Sequence, residues 1–178
     1  MNKLSRTSLL YLYLTLLFSG TSHAGFFDDL KTLVVDRDEV SLCQAIRKNQ
    51  GSRIRNLIKG NPNLVNTTKE PVGCDLPLHE IAVGGQVDAY KIVRSLIKDV
   101  NKKNAKGDTP LHYAVSRDFK RLKTMYISEG MEMIRLLIED GADVNKKNGS
   151  GVTPLKLAIS KGNKDVAKLL ISKGANDE

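Results

Sequence analysis

One tetrapeptide recurs along this chain with small changes: Leu76-Pro77-Leu78-His79, Thr109-Pro110-Leu111-His112 and Thr153-Pro154-Leu155-Lys156. The prolines are 33 and then 44 residues apart, so a period near 33 is interrupted once by an insertion of about 11 residues. A fixed period of this length marks a repeat array, in which each unit is one supersecondary element that cannot bury its apolar face alone. Such a chain has no single closed core and grows by stacking.

Each unit reads as helix, turn, helix. In the second, Pro77 opens a helix where its missing N–H costs nothing. Ile81, Ala82 and Val83 carry its apolar face, and Gly84-Gly85 breaks it. Val87, Ile92, Val93, Leu96 and Ile97 form the next helix, ending at Asp99-Val100-Asn101. An earlier unit has apolar residues at Ala45 and Ile46, a turn at Gly51-Ser52, and a second stripe at Ile54, Leu57 and Ile58. Later units run from Gly107 to Asn145 and from Gly151 to about Asn176. Helices this short fall below the roughly 12–15 residues at which an isolated helix is marginal in water, so they must stack.

Residues 1–24 stand apart from this pattern. Lys3 and Arg6 precede a run from Leu9 to Phe18 that is apolar except for Thr15, and Ser22-His23-Ala24 places small residues about a larger one. That is the pattern of a cleaved secretory signal. The run is half the roughly 20 residues that a spanning helix needs, so no stable membrane anchor is expected. Residues 25–38 follow, with Phe26, Phe27, Leu30, Leu33 and Val34 on one helical face and Asp28-Asp29 in the first turn. A short amphipathic helix here can cap the open end of a stacked array. The whole chain carries a net charge of +8, and without the signal 26 basic residues face 20 acidic ones. Such a balance ordinarily raises nucleic acid as a partner. Export argues against it, leaving a protein with an acidic surface, or no special partner.

Gly107-Asp108-Thr109-Pro110-Leu111-His112-Tyr113-Ala114, followed by Ile134-Arg135-Leu136-Leu137-Ile138 and Gly141-Ala142-Asp143-Val144-Asn145, closely resembles an ankyrin repeat. Gly151 to Ala158 with Val166 to Ile171 and Gly174-Ala175-Asn176 resembles a second, and Leu76 to Ala82 with Ile92 to Ile97 and Asp99-Val100-Asn101 a third. Leu42 to Asn66 looks like a degenerate first repeat. The resemblance implies an all-α solenoid with repeats at about 39–71, 72–104, 105–148 and 149–178. It implies antiparallel helix pairs with turn-like fingers on one edge, binding other proteins through the finger tips and the concave face. Within the family, Thr109 caps the helix that Pro110 begins, and His79 and His112 bond locally and to the adjoining turn. Lys156 has lost that histidine, as a terminal repeat can.

The departures from the pattern are informative. The insertion in the third unit, between Ser116 and Met131, is basic and holds two aromatics, and both helices of that repeat are expected to be extended. Tolerated surface insertion is one reading. The other is a partner-binding element using Tyr113, Arg117, Phe119, Arg121 and Tyr126, since aromatic residues and arginine dominate binding hot spots. A second candidate surface is a basic ridge of Lys102, Lys103 and Lys106 in one finger and Lys146 and Lys147 in the next. Exposed lysines are most often only solvating; the alternative is steering toward an acidic partner. Cys43 aligns with His79 and His112, and Cys74 with Gly107 and Gly151 in the following finger. The family's histidine reaches toward that finger, so the resemblance implies either a Cys43–Cys74 disulfide or two buried thiols.

No Gly-rich phosphate loop, metal-ligand spacing or nucleophile elbow is present in the sequence, so no catalytic, cofactor or metal residues are expected. The expected function is protein binding in the bacterial periplasm, as a monomer or a heterodimer with its partner. Its most concrete form is an immunity protein that neutralises a cognate antibacterial toxin. Alternatives are a periplasmic accessory protein supporting an enzyme, for example in oxidative defence, or a secreted effector acting in a host.

Overall fold

The computed structural model describes residues 38–68, 70, 74–117, 119 and 124–176. The signal at 1–24, the capping helix at 25–38 apart from Asp38, and Arg121 lie outside the described residues. What is described is all-α: helices and short 3-10 turns, with no strand among the described residues.

The helices form four antiparallel pairs. Helix α1 covers residues 38–47 and pairs with α2, Gly51–Gly60, which leads into a 3-10 turn at Pro62–Asn66. Helix α3, Pro77–Gly84, pairs with α4, Val87–Val93, which tightens into a 3-10 turn at Arg94–Leu96. Then come α5, Pro110–Val115, with α6, Thr124–Glu139, and α7, Pro154–Ser160, with α8, Lys164–Ser172. In the inner layer α3 packs on α5 and α5 on α7, while in the outer layer α2 packs on α4 and α4 on α6. Ala45, Ala82, Ala114 and Ala158 are fully buried along the inner layer, where a methyl side chain lets helices approach. One apolar core runs unbroken from Leu42 to Ala175.

Helix ends follow local chemistry. Thr109 and Thr153 cap α5 and α7, accepting from the backbone N–H of His112 and Lys156, and Pro110 and Pro154 hold the first helical position. Leu76 precedes α3 and offers no such side chain. Helices α6 and α8 end at Gly141 and Gly174, whose φ angles of 90° and 88° are open to glycine at no steric cost. The N–H of Ala142 then reaches Leu137 O, and that of Ala175 reaches Leu170 O, both at 2.9 Å. Repeat 2 has no glycine at the equivalent place, and its outer helix winds down as a 3-10 turn instead of running on to Ile97.

The insertion departs from expectation in one respect. Only the outer helix is lengthened: α6 has 16 residues, against 9 in α8, and exceeds the length at which stacking is the sole support. Helix α5 has 6 residues and stops at Ser116. Its end is taken up locally: Ser116 Oγ donates to Tyr113 O at 2.8 Å, and buried Asn163 donates to Val115 O and Arg117 O. With those carbonyls satisfied, another helical turn has no advantage.

Candidate protein-binding surface

The fingers are held in register by asparagines. Asn66 donates to Leu96 O and accepts from the N–H of Lys98. Asn101 does the same with Gly141 O and Asp143 N, and Asn145 with Gly174 O and Asn176 N, over 2.8–3.1 Å. A second ladder shapes the tips. Asn104 Oδ1 accepts from the N–H groups of Lys106 and Asp108, and its amide donates to Asp75 Oδ2 at 2.8 Å. Asn148 repeats this with Ser150, Val152 and, at 2.7 Å, Asp108 Oδ1. The recurrence of Val-Asn and of Asn101 and Asn104 at Asn145 and Asn148 is visible in the sequence; that each amide bridges two repeats is not.

Adjacent tips also touch backbone to backbone. A Cβ on Gly149 would stand 2.4 Å from Lys106 O, and one on Gly107 2.5 Å from Gly149 N. On this frame Lys103, Lys106, Lys146 and Lys147 are exposed and Lys102 is half-buried. The lysines of the two fingers therefore sit on one registered edge, the arrangement a basic ridge requires. Asp99 and Asp143 at the finger bases offset part of this charge, each accepting from the backbone of the asparagine two residues on.

The motif histidines are joints. His79 Nε2–H donates to Asp108 O at 2.9 Å, and His112 Nε2–H donates to Val152 O at 3.0 Å. Burial holds both imidazoles below their ordinary pKa, the carbonyl contacts offsetting part of that. His112 Nδ1 accepts from Thr109, whereas His79 Nδ1 is buried without a partner. In the first repeat the same joint is covalent, since Cys43 is bonded to Cys74 with Cα atoms 6.4 Å apart. These two sulfurs and the Glu80 carboxylate form the one cluster of potential metal ligands among the described residues. Glu80 already receives two hydrogen bonds from Arg47 and one from the N–H of Asp75, which places a guanidinium where a cation would have to approach.

The aromatic and arginine candidates divide. Tyr113 is half-buried on the inner helix α5; its hydroxyl donates to Asp75 and receives Asn104 Nδ2, and its ring meets His79 edge-on at 5.1 Å. Burial pushes the Asp75 carboxyl up, but the hydrogen bonds it accepts from Tyr113, the Leu76 N–H and Asn104 together hold it below its usual range. Arg117 and Phe119 turn inward, 9% and 8% exposed. Arg117 Nη1 donates to Val83 O at 2.9 Å, and its guanidinium occupies the space a Cβ on Gly85 would need. Phe119 lies against Gly130, where a Cβ would be 2.6 Å from its ring. Both side chains fasten the insertion to the solenoid and are not presented to a partner. Tyr126 is the exposed one, at 43%.

On the outer layer, Asp140 gathers Arg94, in a bidentate pair, and the hydroxyl of fully buried Tyr90 at 2.5 Å, tying repeat 2 to repeat 3. Sequence reading missed this cluster, since nothing in the repeat period singles out those positions.

Stacked helix pairs with registered fingers define a repeat protein of the kind that binds other proteins. The comparisons agree. Residues 42–127 match a family model of three ankyrin repeats, and residues 125–171 match a second model described as ankyrin repeats in many copies. The chain belongs to the ankyrin repeat family, whose domains are typically non-enzymatic interaction modules. Comparison with curated proteins found no match.

Proposed function

We propose that this chain acts in the bacterial periplasm by holding one protein partner through its finger edge, as an immunity protein does when it neutralises a cognate toxin. The observation that carries the binding reading is the registered pair of lysine-bearing fingers. Their turns are fixed by internal hydrogen bonds, so little ordering entropy remains to be lost on association. Clustered positive charge speeds encounter with an acidic surface and disfavours basic ones. The signal-like residues 1–24 and the Cys43–Cys74 pair favour an oxidising, exported setting.

The test is growth rescue. The full chain is co-expressed with the product of the neighbouring gene, exported in the same cell, and compared with K103E/K106E/K146E/K147E. Toxicity relieved by the native chain and not by the variant supports the reading. Toxicity that the native chain leaves unrelieved, or absence of any toxic neighbour, overturns the immunity role. Fractionation that leaves the chain in the cytoplasm overturns the location.

A further inference from the structure

The fourth helix pair exposes positions that the earlier pairs bury. Three residues after the motif histidines stand Ala82 and Val115, both fully buried. Three residues after Lys156 stands Ile159, 54% exposed. The outer helices change in the same way. Tyr90 and Arg94 both reach Asp140 in the next repeat, which identifies the side of an outer helix that faces forward along the solenoid. Arg94 precedes Asp99 by five residues as Ile138 precedes Asp143, and Ile138 precedes Gly141 by three as Ile171 precedes Gly174. In the same register Ala167 answers to Ile134 and Tyr90. Tyr90 and Ile134 are fully buried and Ile138 is half-buried, whereas Ala167 is half-buried and Ile171 is 57% exposed.

Ile159 and Ile171 are the most exposed large apolar side chains among the described residues, and both fall on one forward face. Lysines rim it. Lys156 holds the place of His79 and His112, whose Nε2–H groups reach the following finger. Lys164 lies two helical turns before Ile171, and Lys168 one turn, on neighbouring stripes of α8. All three lysines are exposed. Asp165, the one acidic residue between 149 and 176, lines a small pocket with Phe119 and Ile127 of repeat 3 and so faces backward. Lys156 also limits what the face can accept. In a joint like that of His112, which is 1% exposed, an ammonium would be buried without a charge partner. The face is therefore not built to take another repeat of the same kind.

We infer that this forward face docks an amphipathic helix of a partner protein, with apolar side chains on one stripe and aspartate or glutamate along its flanks. A helix fits because the equivalent surface of the preceding repeat receives helices: α7 packs on α5, and Asn163 closes over Val115 by donating to its carbonyl. Apolar side chains at i, i+3, i+4 and i+7 would lie on Ile159, Ala167 and Ile171, as amphipathic helices do in apolar grooves. Charge selects the partner: the lysines attract carboxylates, oppose a basic helix, and oppose the same face of a second copy. Their stems add apolar cover while the ammonium groups stay in water. None of the finger lysines takes part, so this surface goes beyond the finger edge and does not depend on it.

The experiment uses the full mature-length chain with its disulfide intact and synthetic peptides, so that its failure is distinct from failure of the immunity role. Binding of acetyl-Glu-Leu-Ala-Glu-Leu-Leu-Glu-Ala-Leu-Glu-amide is followed by amide NMR titration. One analogue has every glutamate replaced by lysine, and another has a central leucine replaced by proline, which breaks the helix and keeps the charge. The acidic helix is expected to bind at least about tenfold more tightly than either analogue and to shift Ile159, Ala167 and Ile171. I159S with I171S, at two exposed positions that the fold does not need, should abolish those shifts, and K156E with K164E should turn the preference toward the lysine analogue. Equal affinities, shifts confined to the fingers, an unchanged preference in K156E with K164E, or no shift at millimolar peptide would overturn the inference. So would sedimentation showing a dimer that I159S with I171S releases, or vesicles of phosphatidylglycerol that shift the same residues when the peptide does not.

Discussion

The hydroxyl of Thr109 lies 2.8 Å from Nδ1 of His112, and the N–H of the same threonine lies 3.2 Å from that nitrogen. The same side chain accepts, at 3.5 Å, from the backbone N–H of His112. This reciprocal pair leaves Nε2 of His112 as the protonated nitrogen, aimed at Val152 O. In the preceding repeat the equivalent of Thr109 is Leu76, which has no hydroxyl and whose N–H goes to Asp75 Oδ1 at 2.7 Å. That is why His79 Nδ1 is left without a donor.

Thr109→Val should therefore cost about 1 kcal/mol, the loss of a helix cap, since the backbone N–H at position 109 still donates to His112 Nδ1. Urea unfolding of the variant beside the native chain checks this. A change below a few tenths of a kcal/mol would mean that the pair contributes nothing.

Reduction of Cys43–Cys74 should destabilise the chain by about 3–4 kcal/mol in the chain-entropy model, for a closed loop spanning 31 residues. The loss should be concentrated in α1 and α2, whose junction to the next repeat it replaces. Hydrogen exchange with and without reductant reads out the location, and intact mass reads the redox state. Two free thiols in protein taken from its own compartment would remove the disulfide from the account.

Asp140→Ala should be more damaging than Tyr90→Phe. The first leaves the hydroxyl of fully buried Tyr90 without its acceptor, at about 1–3 kcal/mol. The second removes the donor while Asp140 keeps Arg94, at about 1 kcal/mol. Thermal unfolding of both variants decides the order, and an inverted order would show that Asp140 is not the hub.

Stability should fall on acidification below about pH 6.5. The folded pKa values of His79 and His112 lie below their ordinary 6.5, chiefly because burial disfavours the cation. The unfolded chain then binds protons that the folded chain refuses. Their contribution is complete above 6.5 and is lost as pH drops through that value toward the folded pKa. Urea midpoints measured between pH 8 and pH 5 should slope downward in that window, and a flat profile there would contradict the burial of neutral imidazoles.

Gly149→Ala should loosen the finger edge. Its new methyl would lie 2.4 Å from Lys106 O, a backbone atom that cannot step aside alone, so about 1–3 kcal/mol of strain is expected. Amide shifts along Lys102–Asp108 should accompany the loss, and their absence would show that the tips do not rely on that contact.

The sequence carried the repeat architecture because its determinants are local and periodic. Pro77, Pro110 and Pro154 open helices, Gly141 and Gly174 close them, and the alanines recur on the face that packs. The Cys43–Cys74 pairing was open in the sequence to two readings and is a bond in the structure. The fate of the insertion was less legible. Composition marked Arg117 and Phe119 as contact residues, yet their positions depend on the space left by Gly85 and Gly130, glycines of other segments. A pattern of residue types along one segment does not reveal the room its neighbours leave.

What the sequence alone determined is the unit and its order: short helices of period near 33 that have no stable state apart from each other. What only the tertiary structure decided is which polar groups meet across repeats. Asn66, Asn101 and Asn145 each bridge to the next finger, and Asp140 joins Tyr90 to Arg94. The reason is physical. Helix and turn preferences act over a few residues, whereas hydrogen bonds between repeats join residues some 30 to 50 apart, and only stacking brings those partners within 3 Å.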